Sequence, residues 1–113
     1  MALPLNVFKT VTKIAQTSPV GIYTAPVGYS GVVLLAQVTN VGNDTHTVSF
    51  SHERTTSGIA VTTEILKNYP VPSSDTANLL AGKLVLESGD KIILSSSTST
   101  DIKFIGSILE TLS

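Results

Sequence analysis

Chemistry in this chain would have to come from two histidines, eight carboxylates and fourteen serines, because cysteine and tryptophan are absent. The histidines, His46 and His52, sit in THTVSFSH, where polar side chains alternate with bulky ones. As a strand, the stretch puts both rings on one face but roughly 20 Å apart at ~3.3 Å per residue, too far to share one ion. Asp44 and His46 could meet on that face, yet no third ligand is indicated. Two histidines flanking an apolar stripe is the simpler reading, with a ring of either histidine about a symmetry axis as the residual metal option. A nucleophilic serine needs an oriented base beside it. The segment Gly28-Tyr29-Ser30-Gly31 lacks the G-x-S-x-G spacing of a strand-to-helix elbow. Glu53, Glu64, Glu87, Asp90 and Glu110 could pair in space for acid–base work, but no spacing selects two of them. These residues predict a chain that is not an enzyme and carries no cofactor or metal.

The aromatic residues offer one binding option. Without tryptophan, a sugar platform would have to use Tyr23, Tyr29 or Tyr69. Tyr69 falls on an apolar face and reads as core, while Tyr23 and Tyr29 flank one turn and read as its anchors. Asn43-Asp44-Thr45 matches a glycosylation sequon, and without a secretory route it reads as a turn.

The elements that would position these residues are strands. Gly31–His52 reads as a hairpin turning at Val41-Gly42-Asn43-Asp44. Its first strand is apolar on both faces, with Val32, Leu34, Ala36 and Val38 on one and Val33, Leu35 and Val41 on the other, which predicts burial on both sides. Its second strand turns His46, Val48, Phe50 and His52 one way and Thr45, Thr47, Ser49 and Ser51 the other. Phe8–Gln16 and Ile22–Thr24 read as earlier strands, separated by turn chemistry at Ser18–Gly21. Glu53–Gly58 (ERTTSG) reads as a polar loop. Ile59–Val71 follows as a strand with Ile59, Val61, Ile65, Tyr69 and Val71 on one face, and Pro70 and Pro72 place its end at a sheet edge. Ser73–Gly82 reads as a helical turn or a bare loop. Leu86–Asp90 lies in a second expected hairpin, Lys83–Leu86 with Lys91–Ser95, and Ser95–Thr100 reads as a loop tip. The last strand, Asp101–Leu112, puts Ile102, Phe104 and Ile108 on one face and Ile105 and Leu109 on the other. Seven or eight short strands with regular turn signals predict an all-β chain: a single antiparallel β-sandwich, jelly-roll-like or Ig-like. Residues 1–7 form an extended arm that Pro4 keeps from being helical, and 8–113 form the domain.

Charge is the unusual bulk property. Charged residues make up 13% of the 113, about half the ~25% of an ordinary soluble domain. Fifteen threonines and fourteen serines supply polarity instead. Either they cover the surface in place of charge, or much of the surface is covered by other subunits. A net charge of −1 and a pI near 6.0 leave no basic stripe for nucleic acid. MALPLNVFKTVTK lacks the basic and continuous apolar regions of a signal peptide, and no apolar run reaches the ~20 residues of a membrane helix. The expectation is a chain made and used without secretion, with no nucleic-acid or membrane partner.

Four motifs carry a family resemblance: a Y-T-A-P-x-G turn at Tyr23–Gly28, an apolar strand ending in Asn at Val32–Asn40, a Ser/Thr-alternating strand at Thr45–Ser51, and an L-x-x-G-D turn at Leu86–Asp90. Set in Ile22–Ser51, Gly82–Leu94 and Ile102–Glu110, they resemble the small β-sandwich virion structural proteins of tailed bacteriophages, particularly T4-like cyanobacterial phages. The resemblance covers most of the chain, through motifs that support a fold and carry no catalysis. It implies a virion component made in the host cytoplasm, most simply a capsid decoration or cement protein bracing the major capsid lattice. A small ring in the neck, tail or baseplate is the alternative, and a glycan-binding module on the particle surface is the alternative of another class. Expected partners are the major capsid protein or other virion proteins and further copies of the chain. Expected contact residues are Leu3, Leu5 and Val7 of the arm, Arg54, Tyr23 and Tyr29.

Overall fold

The computed structural model describes residues 6–112. They form strands β1 (Asn6–Ile14), β2 (Val20–Thr24), β3 (Tyr29–Asn40), β4 (His46–Thr56), β5 (Ile59–Val71), β6 (Thr76–Asn78), β7 (Leu84–Leu86), β8 (Lys91–Ser96) and β9 (Ile102–Leu112). One antiparallel sheet runs β1-β9-β3-β6, with β7 also on β3, and the other runs β2-β8-β4-β5. Because β6 and β7 lie end to end along β3, they act as one broken strand, and the eight resulting positions are those of a two-sheet jelly roll. That resolves the choice between jelly-roll-like and Ig-like topologies.

Both expected hairpins are corners between sheets. β3 and β4 belong to different sheets, as do β7 and β8, so the turns at Val41–Asp44 and Glu87–Asp90 carry the chain across the sandwich. The first corner is built on Asn40, fully buried. Its Nδ2 donates to the carbonyls of Asp44 at 2.8 Å and Val71 at 2.9 Å, and its Oδ1 accepts from the Gly42 N–H at 2.9 Å. A genuine hairpin lies where a polar loop was expected. Ser57 and Gly58, at φ 54° and 80°, form the two-residue connection of β4 to β5, the backbone that suits a tight β-turn of right-handed twist.

Hydrophobic alternation holds where the strands are regular. Ile102, Phe104 and Ile108 of β9 are buried and Ile105 is exposed, as the pattern predicts. In β3 a bulge falls between Val33 and Leu35. It turns Val33, Ala36 and Val38 inward together and leaves Leu34 and Leu35 partly exposed, so the strand is buried on one face and not two. β5 has the expected bounds and lies at the edge, where Pro70 costs no ladder bond. At that edge Tyr69 is 44% exposed, not core. Ser73–Gly82 contains the short strand β6 and no helical turn. At the centre, Phe50 from one sheet stacks on Phe104 from the other with centroids 5.9 Å apart, surrounded by Val33, Val38, Val48, Ile92, Leu94 and Ile108.

Candidate assembly surface

The register fixes what the five-stranded sheet shows to the outside. Phe8 pairs with Leu109, Leu109 with Val32, and Val32 with Val85, giving an apolar row across four strands. Phe8 is 74% exposed and Val85 57%. The next rows hold Thr10, Ser107 and Leu35, then Thr12, Ile105, Gln37 and Asn78, then Ile14, Lys103, Thr39 and Thr76. Lys103 is the only charge in these rows. A flat face this poor in charge loses little hydration energy when covered, which is the physical requirement of a contact surface.

A second feature is the β4–β5 hairpin. Its pairing with β8 stops at Glu53, opposite Lys91, whereas β4–β5 pairing continues through Arg54, Thr55 and Thr56. The two-stranded end therefore runs past the sheet. It is uncharged from Thr55 to Thr63 and exposes Ile59 and Val61. Arg54 sits at its base. Its Nε donates to Asp90 Oδ1 at 2.8 Å, and its Nη2 donates to Asp90 Oδ2 at 2.6 Å and Glu87 Oε2 at 2.9 Å. His52 Nε2 lies 3.0 Å from Asp90 Oδ2 and, facing a carboxylate, is the donor. The Glu87 N–H adds a bond of 2.9 Å. The guanidinium first, then His52 and the backbone donor, hold the Asp90 carboxyl well below the usual carboxylate range against the opposing effect of burial. Arg54, expected as a contact residue, thus ties the hairpin base to the β7–β8 corner.

The other expected contact residues lie elsewhere. Tyr23 is half-buried, and its hydroxyl donates to buried Glu110, which also pairs with Lys9 at 3.2 Å. Burial, then the carboxylate, pushes the Tyr23 phenol far up. Its ring covers Gly31, where a Cβ would come within 3.2 Å of it. Tyr29 is half-buried at the start of β3, opposite Leu112. Val7 belongs to β1, paired with Glu110; Leu3 and Leu5 lie outside the described residues. Val7 and Tyr23 thus converge on Glu110, while Arg54 lies at the β7–β8 corner. The Phe8–Val85 row was missed because its four residues are far apart in sequence, and only alternation in β9 hinted at it through Leu109.

The two histidines are separated, as their spacing requires. His46 Nε2 lies 3.1 Å from Asp101 Oδ2 and its Nδ1 3.3 Å from Ser97 Oγ. Serine, histidine and aspartate are the types of a nucleophilic triad, but here the serine oxygen already accepts the Thr47 N–H at 2.9 Å. Asp101 in turn accepts from Thr100 at 2.9 Å and abuts Gly42, where a Cβ would meet it at 2.2 Å. The trio therefore stitches the β3–β4 corner to the β8–β9 loop. Among the described residues, no group of three or more His, Asp or Glu side chains is placed to hold a metal ion.

No family model matches the chain, and no curated protein matches it. Solved structures do. The capsid protein in the T13 particle of infectious bursal disease virus is similar over 96% of this chain and 31% of its own, with a TM-score of 0.61 at 10% identity; this chain spans about a third of that protein. A protein of the acid-stable capsid of Helicobacter pylori bacteriophage KHP30 is similar over 96% of this chain and 89% of its own, with a TM-score of 0.57 at 15% identity. A protein of the disulfide-linked pili that form Bacillus endospore appendages matches over 96% and 88%, with a TM-score of 0.50 at 16% identity. At these identities the shared property is the fold: an all-β two-sheet sandwich whose neighbours include viral capsid proteins.

Proposed function

We propose that this chain is a non-enzymatic structural protein of a tailed-phage particle, of the T4-like cyanophage type, that decorates and braces the major capsid lattice. The observation that carries the reading is the outer face of the five-stranded sheet, apolar along one row and with Lys103 the one charge in its four paired rows. The fold it shares with a phage capsid protein of similar length supports the same reading. The pilus neighbour shows that the fold also builds other assemblies, but a chain without cysteine cannot form a disulfide link. In size, four strands ~4.8 Å apart and ~26 Å long present about 500 Å² of flat face. A stable contact takes about 800 Å² per partner, so the β4–β5 hairpin tip supplies the remainder. Sheet face and hairpin together brace two neighbouring subunits, while the jelly roll stays rigid between them.

Quantitative mass spectrometry of purified particles tests this. Hundreds of copies, in fixed ratio to the major capsid protein, support lattice decoration. A copy number of one small ring moves the protein to the neck, tail or baseplate, and absence from particles overturns the virion reading.

A further inference from the structure

At the end of the outer face farthest from Asn6 lies a shallow groove of about 750 Å³. Its apolar floor is made by Ile14, Val41 and Ile105, exposed at 48%, 55% and 43%, and its rim includes Thr12, Lys13 and Lys103. The chain itself contains a segment of matching chemistry, Met1-Ala2-Leu3-Pro4-Leu5, which has no charged side chain and which Pro4 biases to an extended form. That segment cannot fill the groove of its own molecule. It leaves from Asn6, and the nearest lining residue on β1, Thr12, is about 20 Å away along the strand. Five extended residues span at most about 17 Å, and Leu3 and Leu5 reach far less.

From this mismatch of chemistry and reach we infer that the groove at Ile14, Val41 and Ile105 receives residues 1–5 of a second copy of this chain. Leu3 and Leu5 seat on the apolar floor, and the strand β1 of the donor continues the line of β1 in the acceptor. The contact is head-to-tail: arm and groove are different surfaces at opposite ends of one strand. Such a contact repeats until it closes into a ring or runs on as a chain. The inference rests on the assembly reading above for its choice of a second copy as partner, and it adds the site and polarity of the contact.

Two variants of the full chain test it, one lacking residues 1–5 and one carrying Ile105→Asp, with Val41→Asp as a second groove variant should the first unfold. Circular dichroism checks that each keeps its β-sheet spectrum. In sedimentation velocity the unaltered protein associates, and each variant alone associates at least about tenfold more weakly. Mixed together, the truncated chain and the groove variant form a dimer and stop, because one arm and one groove remain usable between them. Association that survives deletion of residues 1–5, or a mixture that stays monomeric, overturns the inference, as does a monomeric unaltered protein at millimolar concentration. Particle copy number is read separately, so an arm that proves dispensable on particles defeats this inference and leaves the virion reading standing.

Discussion

The two sheets of this jelly roll do the same work inside and different work outside. Inward, each contributes aliphatic residues around the Phe50–Phe104 stack. Outward, the five-stranded sheet shows the Phe8–Leu109–Val32–Val85 row, and Lys103 is the one charge in its four paired rows. The four-stranded sheet shows Ser49, Ile93 and Ser95 with Glu53, Glu64, Lys67 and Lys91, and Lys91 pairs with Glu53 at 3.5 Å. Folding demands an apolar inner face and is indifferent to the outer one, so the difference between the outer faces is information about contacts. The more charged sheet is suited to water, and the sheet with the apolar row is the one the proposed contact uses.

The largest effect expected of a single substitution is one that removes what both faces rest on. Phe50→Ala should cost about 3–5 kcal/mol in urea unfolding; a loss under about 1 kcal/mol would mean that the sheets do not share this core. Asn40→Ala should cost about 2–3 kcal/mol, since it strands the Gly42 N–H and the Asp44 and Val71 carbonyls. Because Asp90 titrates lower in the folded chain than in the unfolded one, its stabilising contribution is full above the ordinary carboxylate range and is lost as pH falls below it. Melting temperature should therefore drop between about pH 5 and pH 2, with a smaller drop in Asp90→Asn. An identical pH profile in that variant would place acid sensitivity elsewhere. The smallest effect on stability, under about 0.5 kcal/mol, is expected for Val85→Lys and Glu64→Lys, one on each outer face. Only Val85→Lys should reduce co-sedimentation with stripped particles, by at least about tenfold. Equal losses would erase the functional distinction between the faces.

How much of this was legible depended on which physical rule was being read. Period-two alternation reports that a strand has one buried face, and it located β5 and both faces of β9. Pro70 marked the edge because a missing N–H is tolerated only there. Neither rule says which strand pairs with which. The turns at Val41–Asp44 and Glu87–Asp90 have hairpin chemistry yet cross between sheets, because a corner and a hairpin both need residues that bend the backbone. The true hairpin hid in ERTTSG, where Arg54, Thr55 and Thr56 are polar because the ladder there stands beyond the core. Leu34 shows a third limit: one bulged residue reverses every later assignment in its strand. The apolar row of the candidate surface was invisible for the reason the corners were, since it exists only once β1, β9, β3 and β7 are placed side by side.

The position of β9 has a consequence for when the molecule becomes competent. β9 spans residues 102–112 and lies between β1 and β3, so β1 has no sheet partner until β9, eight strands further along the chain, is in place. Pairing across such sequence distances is slow, in the milliseconds-to-seconds range for sheet proteins. Until it happens, Phe8 and Val32 have no Leu109 between them and the apolar row does not exist. β9 is therefore the strand that completes that face, and nothing earlier in the chain can present it.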